Sequence, residues 1–227
     1  RTDPRVLRAQ LGLAARSMRA TRYSSPLWAL AVAFLCSPVT GTFGQVPVLR
    51  AMLLPLAVTI VMIATTVVAV AYERYSTGED AASWFRSFVM RPIASSAAWG
   101  LMPWLCWEPA NPLNHMFLAC AVMAVIAALV VSRGSNMTLY IASLAPVTLM
   151  TALWFLSSPS LIDVMVGGLT PFIALQLWRT GRPLVVRMDE DSRLRFKIED
   201  MARELEEARD EALKKRFEAE AANASKT

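Results

Sequence analysis

AMLLPLAVTIVMIATTVVAVAY, residues 51–72, contains no charged residue. An α-helix rises about 1.5 Å per residue, so this stretch can cross the roughly 30 Å hydrocarbon core of a bilayer. Apolar helices buried in soluble cores are usually shorter, about 10–14 residues. Five further runs of similar character flank it, at residues 23–43, 88–107, 113–132, 137–156 and 161–178. The fold class read from this pattern is an all-α membrane protein with about six transmembrane helices. The run at 23–43 is interrupted softly by Pro38 and Gly41, and Arg91-Pro92 marks the start of the run at 88–107. Ser157-Ser158-Pro159-Ser160 is a short breaker between the last two spans.

Arginine placement gives the orientation. The segment before the first span carries Arg1, Arg5, Arg8, Arg16, Arg19 and Arg22. Arg74, Arg86 and Arg91 follow the second span, Arg133 the fourth, and Arg179, Arg182 and Arg187 the sixth. The other three loops hold one basic residue, Arg50. Basic loops face the cytoplasm, so strict alternation predicts an even number of spans with both termini inside. Trp28, Trp84, Trp104, Trp107, Trp154 and Trp178 fall near span ends, where amphipathic rings favour the interface; Trp99 is deep in its span.

The charge divides along the chain. Residues 1–187 hold 14 Arg, no Lys and 6 acids, whereas residues 188–227 hold 9 basic and 12 acidic residues. The basic excess therefore reports membrane topology and lipid contact, and no nucleic-acid partner is expected. Before the first span, Leu7, Leu11, Ala14 and Met18 form one helical stripe. Residues 1–22 read as an amphipathic cytoplasmic segment that lies on the inner leaflet or packs on its own bundle. Residues 23–187 form the transmembrane domain. Residues 188–227 form a charged helix in which Leu194, Ile198, Met201, Leu205, Ala208 and Ala212 alternate by four and three. That seam predicts a parallel homodimer. Its apolar positions shift to Leu213 and Phe217 after Ala212, as at a stutter.

The run Leu194-Arg195-Phe196, Ala208-Arg209-Asp210-Glu211-Ala212 and Glu218-Ala219-Glu220-Ala221-Ala222-Asn223-Ala224-Ser225-Lys226 resembles the signalling helix of bacterial hybrid sensor histidine kinases. There, such a segment directly precedes the helix bearing the phospho-accepting His. The membrane part is similar to the six-helix sensor region of the same kinases through Trp84-Phe85-Arg86, Ala98-Trp99-Gly100-Leu101 and Asn114-His115. The resemblance implies a sensory input module in the bacterial inner membrane. It would relay a signal to a cytoplasmic kinase core beyond this stretch, with ATP and Mg used only by that core and a response regulator as its partner. The chain starts with Arg, not Met, so it is expected to begin inside a longer protein. Similar segments also precede diguanylate cyclase domains and PAS modules. No Gly-rich phosphate loop is present. The single histidine, His115, falls on the outer side of the topology, away from any cytoplasmic kinase. No cofactor and no catalytic residue is assigned within this stretch. The competing function is a non-catalytic subunit of a larger membrane complex. A transporter is disfavoured by the scarcity of charge within the spans.

Residues around the turn after the third span concentrate unusual chemistry. Trp104, Trp107, Glu108 and His115, with Asp163 at the start of the sixth span, are the candidate ligand-binding residues. An ionisable group at membrane depth is costly and marks function by default. The expected ligand is a small amphipathic signal molecule. Cys36, Cys106, Cys120 and His115, near Met102 and Met116, are types that suit a soft metal such as Cu(I). None has a CxxC or HxxxH spacing, so no metal site is assigned. Ala94-Ser95-Ser96-Ala97-Ala98 and Gly167-Gly168 allow close helix approach.

Overall fold

The computed structural model describes residues 4–76, 81–132 and 136–224. Arg1 and Arg133 of the basic segments, and Ser225-Lys226 of the tail motif, lie outside the described residues. Every regular element among the described residues is a helix. The chain forms two compact units, residues 1–186 and residues 187–227.

In the first unit, α1 (Pro4–Ala20) precedes α2 (Ser24–Cys36). The short α3 (Val48–Ala51) leads into α4 (Leu53–Tyr75). Next come α5 (Ala81–Gly100), α6 (Met102–Cys106), α7 (Pro112–Ser132) and α8 (Met137–Leu156). The last helix, α9, has bounds Leu161–Ala224 and continues through Pro171 and Pro183. Among the described residues, four stretches are long and apolar enough to cross a membrane: Val48–Tyr75, Pro112–Val130, Met137–Leu156 and Leu161–Arg187. Their outward faces are apolar too; Ile60, Ile63 and Val67 of α4 and Leu149 and Leu153 of α8 are all exposed. Soluble monomers rarely expose such continuous apolar surface. The fold is thus compatible with a multi-pass membrane protein.

Two of the expected spans are interrupted by turns. The run at 23–43 is helical only over α2, because the chain turns after Cys36. Ser37 and Thr40 hydroxyls donate to the Phe34 carbonyl at 2.7 and 3.0 Å, meeting one of the helix's orphan acceptors. Gly41 then takes φ +59°, a conformation that costs glycine little. The run at 88–107 begins earlier, at Ala81, and divides at Leu101 into α5 and α6. α6 opens with Pro103 in its first turn, where the missing N–H costs nothing. By contrast, α8 keeps the expected bounds. The Asn136 side chain caps it by accepting from Thr138 N at 2.9 Å.

The core explains how the helices assemble. Leu54, Met102, Leu118, Ile126, Val147 and Phe155 bury together in its centre. The small-residue stripe of α5 meets α8 closely. Ser96 is fully buried and its hydroxyl accepts from Val147 N at 3.0 Å. A Cβ on Gly100 would stand 2.9 Å from Met150 Cβ, closer than real side chains pack. α1 packs on the bundle. Leu11, Ala14 and Met18 bury against Ala69 and Tyr72 of α4 and Phe88 of α5. Arg19 pairs with Glu73 at 2.6 Å, and Ser17 donates to the Ser132 carbonyl at 2.7 Å.

In the second unit, Leu194, Ile198, Met201 and Leu205 are exposed on a single chain, as are Ala208 and Ala212. Arg195–Glu199 at 3.0 Å and Glu211–Lys215 at 2.7 Å are i,i+4 pairs on its surface.

Candidate functional site

The loop ends at one extremity of the first unit converge on a polar cluster. It begins where α6 stops. Asn114, fully buried in the first turn of α7, clamps that stop from both sides. Its amide donates to the Cys106 carbonyl at 3.0 Å and its oxygen accepts from Glu108 N at 3.0 Å. Asn111 caps α7, its side-chain oxygen accepting from Asn114 N at 3.2 Å just before Pro112 opens the helix.

Glu108 ties in the loop that follows α2. Its carboxylate accepts from Gln45 N at 2.8 Å and from the Asn111 amide at 3.2 Å. That loop must approach closely, and Gly44 permits it. A Cβ there would meet the Cys36 carbonyl oxygen at 2.9 Å and Glu108 Oε2 at 3.0 Å. Beneath the loop, Cys36 and Cys106 are buried, while Cys120 is exposed on α7.

His115 and Asp163 form the centre of the cluster. They are 8 % and 2 % exposed. His115 Nδ1 stands 3.0 Å from Asp163 Oδ2 and 3.2 Å from Oδ1. The other ring nitrogen, Nε2, lies 2.9 Å from the Glu108 carbonyl oxygen. Both ring nitrogens therefore face acceptors, and a ring protonated on both donates at both ends. Ser158 completes the carboxylate's partners by donating to Oδ2 at 2.6 Å. Asp163 lies in the first turn of α9, where a negative charge suits the helix dipole.

An aromatic wall closes over this pair. The Trp107 ring stacks on His115 at 3.6 Å between centroids with 14° between planes. Phe155 and Trp154 meet Trp107 edge-on at 5.2 and 5.9 Å. Trp104 is more exposed, packs on Trp154 at 4.4 Å and donates to the Met150 carbonyl at 3.4 Å. All five candidate residues thus share one region. Arg50, Ser158, Trp154 and Gly44 join them there. Ser158 reads in sequence as part of a breaker, and Trp154 only as an interfacial ring.

Ser, His and Asp meet here, but their wiring is not that of a hydrolase. In a catalytic triad the serine bonds the histidine, which the carboxylate orients. Here Ser158 bonds the carboxylate, and the far nitrogen of His115 faces a backbone carbonyl. No nucleophile is positioned for activation. The arrangement instead ties the start of α7, the α6–α7 turn and the first turn of α9 through one buried hydrogen-bonded pair. Among the described residues, no three His, Cys, Asp or Glu gather as a metal-binding set.

Two of the cavities along the bundle contrast in their lining. One, of about 290 Å³, opens over the cluster between Arg50, Trp107, Trp154, Ser157 and Ser158. The other, of about 340 Å³, lies toward the α1 end beside Trp28, Met62, Ser95 and Trp99, and no ionisable side chain lines it.

Fold and site together describe a helical bundle of membrane-compatible character with a charge-bearing polar mouth at one end. No family model, curated protein or solved structure matches the chain.

Proposed function

We propose that this chain is the sensory input module of a bacterial inner-membrane histidine kinase. Six segments cross the membrane, α2 and the α5–α6 pair among them, with both termini cytoplasmic and the polar mouth outside. A signal received at the mouth alters the environment of Asp163. The helix that begins there carries the change to the 188–227 segment, which pairs with a second copy along the seam from Leu194 to Ala212. The kinase core that follows uses ATP and Mg and phosphorylates a response regulator.

The observation that carries this reading is the buried His115–Asp163 pair with its Ser158 hydroxyl. Isolated charge inside a protein is expensive, and a buried pair is weak support for stability alone. Such a group is better explained as one member of a two-state element. A ligand shifts such an element only by binding its two states differently. Asp163 suits this role, since it lies in the first turn of α9 and accepts from Ser158, which lines the cavity at the mouth. The unpartnered apolar stripe on the 187–227 unit supports the dimer, because sustained a/d spacing needs a facing seam.

The test joins this chain, in helical register, to a histidine kinase core of known activity. Asp163→Asn and Leu205→Asp should each change autophosphorylation several-fold. Activity equal to that of the unmodified chimera in both variants would remove the relay. Stable copurification with a larger membrane complex at fixed stoichiometry would then favour an assembly role.

A further inference from the structure

We infer that the cavity over Trp107 and Trp154 is a receptor site for a small carboxylate with an apolar body, held by Arg50. The inference rests on the sensory reading and names the ligand class of that same mouth.

The cavity's chemistry selects the ligand. Its walls are the rings of Trp107 and Trp154, which offer flat apolar surface. Its hydroxyls are committed as donors. Ser157 donates to the Trp154 carbonyl at 2.7 Å and Ser158 donates to Asp163 at 2.6 Å. Arg50 is different. One terminal nitrogen, Nη2, donates to the Trp104 carbonyl at 2.7 Å, and Arg50 lines the cavity. A guanidinium has five N–H donors in a planar fork, and this bond uses one. Charge-assisted, two-point bonding to a carboxylate is what such a fork does best. Arg50 is also the single basic residue in the three loops read as outer, so no neighbouring loop cation competes for the anion.

Size excludes a large ligand. Pockets for drug-sized molecules span roughly 300–1,000 Å³, and this one lies at the lower edge at about 290 Å³. That volume suits a short-chain or aryl carboxylate. The site also explains transmission. A ligand filling the cavity contacts Ser158, whose hydroxyl holds Asp163, and Trp107, whose ring covers His115.

Binding is measured directly, on this chain in nanodiscs of phosphatidylcholine, with hexanoate and phenylacetate as probes. Saturable binding is expected, with the matching amides at least ten-fold weaker. Arg50→Gln keeps a donor for the Trp104 carbonyl and should also weaken both acids at least ten-fold. Arg50→Lys keeps the charge without the fork and should fall between. Trp154→Leu, on the opposite wall, should weaken acids and amides alike. Nanodiscs with added phosphatidylglycerol distinguish a free carboxylate from an anionic headgroup. Unchanged affinity supports the free ligand, and loss of binding by competition overturns the assignment. Equal binding of acid and amide, Arg50→Gln binding like wild type, or no saturable binding would each overturn it. Since no output is read, these results stand apart from the relay. Intact binding with a silent Asp163→Asn chimera would fail the relay alone.

Discussion

Replacing Asp163 by Ala removes the acceptor of two donors, the buried His115 ring and the half-buried Ser158 hydroxyl. The Ser158 hydroxyl loses its 2.6 Å bond and His115 Nδ1 its 3.0 Å partner, in a place where Asp163 is 2 % exposed. Each buried group left unpaired costs about 1–3 kcal/mol. His115→Phe keeps a flat ring against Trp107, with which the imidazole now stacks at 3.6 Å. It leaves the carboxylate with one donor. In the double variant neither orphan of the pair remains. The two substitutions should therefore be strongly non-additive, the double costing less than the sum of the singles by about 1–3 kcal/mol. Reversible unfolding in mixed micelles, titrated with a denaturing detergent, measures all three. Additivity within about 0.5 kcal/mol would refute the idea that these groups act as a pair.

Three smaller predictions concern packing. The Thr151 hydroxyl is buried without a partner, so Thr151→Val should stabilise the bundle by about 1 kcal/mol in the same unfolding assay. A Cβ on Gly167 would stand 2.8 Å from the Leu156 backbone N, whereas one on Gly168 meets nothing within 4 Å. Gly167→Ala should therefore cost about 1–3 kcal/mol by overpacking, and Gly168→Ala should gain about 0.5–1 kcal/mol from helix propensity, both read as shifts in melting temperature. Among the cysteines, Cys120 is exposed while Cys36 and Cys106 are fully buried. In detergent, a maleimide should label Cys120 within minutes and the other two only after unfolding, as peptide mass mapping would show.

Much of the architecture is legible in sequence because span length is a strong constraint. Residues 137–156 match α8 since Asn136 and Ser157-Ser158-Pro159 punctuate both ends with clear chemistry. The run at 51–72 is extended to Tyr75 in α4, because Glu73 and Arg74 are good helix formers that hydropathy alone discounts. The α2 boundary escaped because the following loop is itself apolar. Its turn is fixed by Ser37, Thr40 and Gly41, which carry little weight in a hydropathy window. The site shows the same division. Glu108, His115 and Asp163 stand out as polar groups in apolar sequence. Arg50, Ser158 and Gly44 matter only once loops far apart in sequence are brought together. Gln45 N and Glu108, for instance, meet at 2.8 Å across 63 positions. The leaflet-or-bundle alternative for residues 6–18 also needed a tertiary answer. One apolar stripe serves either surface, and here Tyr72 and Phe88 meet it.

The central claim is that the state of Asp163 is felt in a paired 188–227 helix. Cysteine crosslinking between copies tests it most directly, in a chain whose own three cysteines are replaced by Ser. Leu194, Ile198, Met201 and Leu205 are changed to Cys one at a time, with Glu199 and Glu206 changed as controls off the seam. Crosslinking should be fast at the four seam positions and slow at the controls. Adding Asp163→Asn should redistribute the rates along the seam. Equal rates at all positions would contradict the dimer seam. A seam pattern untouched by Asp163→Asn would contradict the relay.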